Sequence, residues 1–318
     1  MSAEEPTGSP TSETFAAAVT LTPATPQFFD HAWTAVAQDC PWPKAYGGDM
    51  VAQAAAAAML SVGGRDAGKV LHSMHSYFMR PVDIGGEVRY EVEVLRDGRG
   101  YSTRQVRGYQ NDKVVYVSMA GFAAEAEGGT YRAQMPADIP GPSDLPTSEA
   151  YLRERAVSAE TSMTQRSKRY WQRGRSFDMR HVPGPVYLRV EGATLPNQAV
   201  WIRPFDALRP VPGLTRAQRD LAALAYVCDY TILEPVLRVL GLPWASPGLV
   251  TASLDHAMWF HRPLPEGALD GWLLYAQEAV SAAGGRGVGL GRFFTPDGGH
   301  LATVVQEGLI RTTDGGSR

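Results

Sequence analysis

One strand pattern occurs twice in this chain, and the repetition restricts the fold more than any single motif does. Leu71-His-Ser-Met-His-Ser-Tyr-Phe-Met-Arg-Pro81 is echoed by Thr251-Ala-Ser-Leu-Asp-His-Ala-Met-Trp-Phe-His-Arg-Pro263. Arg262 follows Arg80 by 182 residues, and this alignment sets Phe78 against Phe260 and Tyr77 against Trp259. Each copy ends on a proline, which has no N–H to give to a ladder and so stops a strand. Gly121 answers Gly308 at a similar offset, 187 residues. A steady offset across separate landmarks points to duplication of one unit. Only the second copy of the strand carries a carboxylate, Asp255.

Each unit reads as a buried helix followed by antiparallel strands, an α+β pattern. In the first, Met50 to Leu60 is rich in alanine, the best helix former, and apolar nearly all round, as a buried helix is. Asp49 precedes it and complements a helix N-terminus. Strands are predicted at 70–79, 86–96, 101–110 and 113–122. Val88, Tyr90, Val92 and Val94 alternate with charged residues, so one face of that strand is buried. In the second unit, Thr215 and Gln218 have capping-box spacing at the head of an apolar stretch, 216–240. Gly241 is a helix stop, and Pro235 is expected to kink the helix. Strands are predicted at 249–261, 272–280, 287–295 and 300–311, with a turn over 294–299.

The remaining segments are less patterned. A first strand is expected at 15–21, and further strands at 186–190 and 199–203. The proline-rich stretch 124–146 reads as a linker. Surface helices are expected within 148–174. The basic run from Arg166 to Arg175 fits a solvated helix face better than a phosphate site. Met1 to Ser12 and Thr312 to Arg318 are expected to be frayed tails.

A length of 318 residues is roughly two domains' worth of chain. The formal charge of −3 gives no reason to expect nucleic acid or an anionic membrane as partner. Two cysteines, Cys40 and Cys228, make neither a disulfide framework nor a metal knuckle. No basic start with an apolar run marks a signal peptide, and no apolar stretch approaches the ~20 residues that span a bilayer. The expectation is a cytoplasmic protein.

Several residues could carry chemistry. Asp229 interrupts the second apolar helix. Burial would raise its pKa toward the range of a general base; an internal cap at a helix break is the structural alternative. Ser253 and Asp255 are two apart on a strand and share a face, so Asp255 rivals Asp229 as the base, or else pairs with an arginine such as Arg262. Gln306 lies on a strand face with Ala302, Val304 and Gly308, where a neutral amide needs a partner and could position a water. The first copy has Met119 there. His72, His75, His256 and His261 are spaced three and five apart, which places each pair on opposite strand faces, so no metal is expected. The run from Gly284 to Gly291 is not a dinucleotide fingerprint, because it opens no helix; it reads as a strand pressed against the central helix.

The stretches 71–81, Val94-Leu-Arg-Asp-Gly98, Leu254-Asp-His-Ala-Met-Trp-Phe-His-Arg-Pro263 and Val305-Gln-Glu-Gly308 resemble the type II acyl-CoA thioesterases. That resemblance implies a double hotdog, two long central helices each wrapped by antiparallel sheet. It divides the chain into an N-terminal hotdog over 15–125, a linker with surface helices over 126–180, and a C-terminal hotdog over 181–313. It implies hydrolysis of an acyl-CoA thioester to free acid and CoA, without metal or redox cofactor, by a homo-oligomer. The family's catalytic aspartate, hydroxyl residue and glutamine fall on Asp229, Ser253 and Gln306, which leaves Asp255 a structural part. Serine in place of the commoner threonine keeps the hydroxyl and loses the methyl that fixes its rotamer. The alternatives are a dehydratase using Asp229 with His256, an acyl-transfer helper, or an acyl-CoA or acyl-carrier binding protein without turnover.

Overall fold

The computed structural model describes residues 11–63, 68–156 and 163–313. Among these, thirteen strands form one antiparallel sheet. The first unit supplies β1 (Thr22–Ala24), β2 (His31–Val36), β3 (Val70–Phe78), β4 (Glu87–Asp97), β5 (Tyr101–Gln110) and β6 (Lys113–Ala123). The second supplies β7 (Phe177–Val182), β8 (Asn197–Pro204), β9 (Leu249–Ser253), β10 (Asp255–Phe260), β11 (Leu273–Ala283), β12 (Arg286–Phe294) and β13 (His300–Thr312). The order is β1-β2-β4-β5-β6-β3 and then β10-β13-β12-β11-β8-β7, with β9 on the end of β13. The second half repeats the order of the first in reverse across the β3–β10 seam, the double hotdog that the resemblance implies. At the seam His75 lies opposite Ala257. They are 182 residues apart, the offset of the two Arg-Pro pairs, so each faces its own counterpart and a local two-fold axis runs between them.

The sheet wraps two packed helices, α2 (Gly47–Leu60) and α5 (Arg216–Val227). Every residue of α2 from Gly48 to Met59 is buried, as its alanines require: small side chains let the sheet and α5 approach closely. Thr215 and Gln218 form the capping box at the head of α5. The second helix is broken. After Val227 comes a 3-10 turn, Cys228–Tyr230, and the chain resumes as α6 (Glu234–Leu240), capped by Gly241 at φ 68°. Pro235 does not kink a helix; it sits in the first turn of α6, where its missing N–H costs nothing. The break therefore lies upstream of the proline.

The glycines of β12 fit this break. A Cβ on Gly287 would stand 2.5 Å from Val236, one on Gly289 2.1 Å from the Ile232 carbonyl oxygen, and one on Gly291 2.3 Å from the Tyr275 ring. The expected strand pressed against the helix is found, and what it presses on is the broken segment.

Other expectations need correction. Residues 15–21 are not a strand: α1 runs Glu13–Val19, and its buried Phe15, Ala18 and Val19 follow helical spacing. Ser12 is not frayed, because its N–H bonds Asp206 Oδ1 at 2.6 Å. No strand forms at 186–190; β7 precedes it and pairs with β8, while Tyr187 turns inward to Arg175. The surface segment α3 (Ser148–Ala156), α4 (Gln165–Arg169) and the π turn Tyr170–Gly174 buries Tyr151, Leu152, Tyr170 and Trp171. Arg175 is buried too, over the Trp171 ring, so the basic run is not one solvated face. The linker also packs: Ala133, Met135 and Ile139 cover Trp201, Leu274 and Phe294 on the outer side of the second half. Thr312 closes β13 and the Thr313 N–H bonds the Gly248 carbonyl at 2.9 Å, so neither is frayed; residues 1–10 and 314–318 of the two expected tails lie outside the described residues. No helix among those described is long and apolar enough to cross a membrane.

Gly289→Ala tests the seat of the break. Its methyl would meet backbone that cannot swing aside, so a loss of about 1–3 kcal/mol is expected. The readout is a lower urea midpoint at unchanged slope. Gly63→Ala, which meets open space, should leave the midpoint in place.

Candidate active site

Asp229 occupies the 3-10 turn between α5 and α6. The turn removes it from the apolar helix surface and aims its carboxylate at β9 and β13. Ser253, the last residue of β9, lies opposite Gly308 of β13, and Gln306 is two residues before Gly308 on the same face. The three side chains meet. Ser253 Oγ donates to Asp229 Oδ1 at 3.0 Å, and Gln306 Nε2 donates to Asp229 Oδ1 at 2.6 Å and to Ser253 Oγ at 3.0 Å. Gln306 is fully buried and its Oε1 has no partner, which leaves a free acceptor beside the carboxylate.

Burial raises the Asp229 carboxyl above the ordinary aspartate range; the Gln306 amide, the Ser253 hydroxyl, the Gly48 backbone N–H and the Lys44 ammonium pull it back. Lys44 is itself lowered by burial, with Asp229 opposing. The first unit thus reaches into a site that sequence reasoning confined to the second. A Cβ on Gly47 would stand 2.7 Å from Asp229 Oδ2, so glycine at the start of α2 is what admits the carboxylate. The positive end of that helix faces it. The Tyr46-Gly47-Gly48 run was the available signal, legible only as a tight turn.

A cavity of about 410 Å³ opens onto Asp229 and Ser253. Its apolar wall includes Trp42, Met50 and Phe78 from the first unit and Leu233 and Trp244 from the second. Lys44 and Arg80 add positive charge.

The other candidates are placed elsewhere. The signature strand is interrupted at Leu254, so the spacing of two does not set Ser253 and Asp255 side by side. Asp255 Oδ1 accepts the Glu307 backbone N–H at 3.0 Å; it neither joins the trio nor pairs with Arg262. His256 Nε2 lies 3.3 Å from Cys228 Sγ, and burial, with His75 adding, pushes its pKa down to about 3. A neutral imidazole spent on a thiol is not the partner a dehydratase reading needs. Among the described residues no group of three or more His, Cys, Asp or Glu could hold a metal.

Two helix-and-sheet units joined in one continuous antiparallel sheet define a double hotdog. The model of the acyl-CoA thioesterase N-terminal domain matches residues 38–123, and that of the C-terminal domain matches 133–310. Acyl-CoA thioesterase 2 of Haemophilus influenzae is 32% identical over 280 residues, covering 87% of this chain and 91% of that protein. Acyl-coenzyme A thioesterase 8 of Homo sapiens is 32% identical over 282 residues, covering 85% and 82%. The crystal structure of acyl-CoA thioesterase II TesB2 from Mycobacterium marinum has a TM-score of 0.69 at 29% identity, over 96% of this chain and 99% of that one. The chain belongs to the type II acyl-CoA thioesterase family.

A second buried carboxylate, Asp49 in the first turn of α2, generates a prediction. Its Oδ2 accepts the Gln38 N–H at 2.7 Å and its Oδ1 has no partner. Burial raises its pKa to about 7, the Gln38 N–H opposes, and the Asp229 charge adds. Asp49 therefore holds its proton more tightly folded than unfolded. That stability is complete below the unfolded pKa of about 4 and is lost as pH rises to about 7. Asp49→Asn keeps the acceptor for Gln38 and removes the ionisation. It should flatten the stability profile across this window and raise Tm at pH 8 by a few degrees, measured by calorimetry. An unchanged profile would assign the pH dependence elsewhere.

Proposed function

We propose that this protein hydrolyses acyl-CoA thioesters to free acid and CoA, with Asp229 as general base and Ser253 and Gln306 as the groups that hold the water. The observation that carries the reading is the convergence of both donors on Asp229 Oδ1 at the mouth of an apolar cavity. Family membership supplies the substrate class. The acyl chain lies along Trp42, Phe78 and Trp244, and Lys44 and Arg80 attract the CoA phosphates.

The chemistry follows from the groups present. Water oxygen attacks the thioester carbonyl carbon while its proton passes to Asp229. Backbone N–H groups near a helix end stabilise the charge that develops on the carbonyl oxygen. The tetrahedral species collapses, the C–S bond breaks, and the CoA thiolate recovers the proton from Asp229. Hydrogen bonds from Gln306 and Ser253 pull the Asp229 pKa down against the rise that burial causes. No group outside the chain and the substrates enters the balance.

A homo-oligomer belongs to the same reading. Tyr77, Met119 and Trp259 are exposed on the outer face beside the seam, and light scattering tests it. The free, buried Cys40 and Cys228 support a reducing, cytoplasmic setting.

Free thiol release from a panel of short, medium and long acyl-CoA substrates is the direct test; no release from any of them overturns the activity. Asp229→Asn should lower kcat at least ~100-fold, the lower range of general-base contributions. A rate within threefold of the parent overturns the base assignment. Ser253→Ala and Gln306→Leu should each cost roughly tenfold or more, and kcat should rise with pH as Asp229 ionises.

A further inference from the structure

Asp229 sits in a segment that has left the helix on both sides, so something other than helical hydrogen bonding must hold it to within the fraction of an ångström that catalysis requires. One strand does this. Tyr275 and Gln277 are two apart on β11, share its inward face, and are both buried. Tyr275 OH donates to the Cys228 carbonyl at 3.1 Å, immediately before Asp229. Gln277 Nε2 donates to Thr231 Oγ1 at 2.8 Å, two residues after it. The turn is gripped upstream and downstream from a single rigid element.

Each grip is itself fixed. The Tyr275 ring stacks on Phe293 at 3.9 Å between centroids with 5° between planes, in space that Gly291 leaves open. Gln277 has its amide oriented by a buried chain of donors. Gln198 Nε2 donates to Gln277 Oε1 at 2.8 Å and to Glu234 Oε2 at 3.0 Å. Glu234 in turn accepts Trp244 Nε1 at 3.0 Å and lies 3.2 Å from His181 Nε2. Because Gln277 Oε1 is occupied as an acceptor, its amide nitrogen must face Thr231. Glu234 is anchored in the first turn of α6, the element that resumes after the break. Trp244, which Glu234 holds, is part of the cavity wall. The substrate pocket and the turn carrying the base therefore share one buried network.

We propose that Tyr275 and Gln277 are positioning residues for Asp229, which hold the carboxylate against Gln306 and Ser253 by clamping the backbone on either side of it. The proposal rests on Asp229 acting as the base. Neither side chain touches substrate. Loosening either clamp lets Asp229 drift from the two donors that lower its pKa, so the effect falls on the chemical step and on its pH dependence, not on substrate binding.

The test uses the full-length protein and one acyl-CoA that the parent enzyme hydrolyses. Tyr275→Phe removes the hydroxyl and keeps the stacked ring. Thr231→Val removes the acceptor for Gln277 at constant shape, and Thr231→Ser restores it. Tyr275→Phe and Thr231→Val should each lower kcat by fivefold or more with KM within twofold. Each should move the acid limb of the kcat profile to higher pH, as Asp229 loses its donors. Thr231→Ser should recover at least half of the lost log kcat. A merely structural role would lower Tm and leave the pH limb in place. The proposal is overturned if both variants, folded by circular dichroism, keep kcat within twofold and the acid limb within 0.2 pH units. Asp229→Asn is run beside them. If it too retains activity, the base assignment has failed; if it is inactive while both clamp variants are intact, only the positioning proposal has.

Discussion

A carboxylate placed inside a helix that the sheet buries is the constraint on which the rest of this structure depends. An aspartate on the surface of an intact central helix would face apolar side chains with nothing to bond, at a cost of several kcal/mol. Here the helix is broken instead. The 3-10 turn at Cys228–Tyr230 swings Asp229 toward Ser253 and Gln306, whose donors converge on one oxygen. Much around the turn serves that arrangement. β12 gives up side chains at Gly289 so that the displaced backbone at Ile232 fits, at Gly287 for Val236 and at Gly291 for the Tyr275 ring, and β11 contributes polar groups where a core strand would carry aliphatic ones.

Duplication explains why only one half bears this cost. The two units meet at β3 and β10 about an axis between His75 and Ala257, and each keeps its own strand order. In the first unit the helix is unbroken, alanine-rich and fully buried. The inward positions of β5 are filled by Ser102, Arg104 and Val106, where β12 has glycines. Yet the first unit is not inert. Its helix begins where Asp229 points, and Gly47 leaves room for the carboxylate there. Phe78, on the first copy of the repeated strand, lines the cavity. The second unit supplies the reacting groups, and the first supplies a helix dipole and a wall.

What the sequence revealed and what it hid divide along physical lines. Periodicity reports burial, so β3 to β6, β8, β12 and β13 are legible within a residue or two and the alanine-rich helix and β11 within three, whereas β1, β2 and β7 are not predicted. The capping box at Thr215 and Gln218 was legible because its bonds are local. Asp229, Ser253 and Gln306 could be singled out because each is a polar residue in an apolar context, although only the resemblance separated Asp229 from Asp255. The failures have a common cause. Phe15 to Leu21 is too short for its apolar spacing to tell helix from strand. The break before Pro235 was misplaced because proline signals a kink only inside a helix, and here it begins one. The interruption at Leu254 is set by pairing with a neighbouring strand. The contribution of the first unit depends on how two helices far apart in sequence lie against each other, which no local pattern encodes. Tyr46 makes this concrete: its hydroxyl bonds the Tyr226 carbonyl at 2.7 Å.

The polar network behind the turn shows how a strained local arrangement is kept without loss of order. Breaking a helix frees backbone carbonyls in a dry interior, where an unpaired one costs about 1–3 kcal/mol. A hydroxyl from β11 meets one of them at Cys228, and a threonine two residues past the base takes an amide from the same strand. Hydrogen-bonded groups in a low-dielectric setting also resist reorientation. The same bonds that satisfy the broken helix therefore fix its geometry. Stability and catalytic placement are then not competing demands at this site: the groups that make the break tolerable are those that define where its carboxylate points.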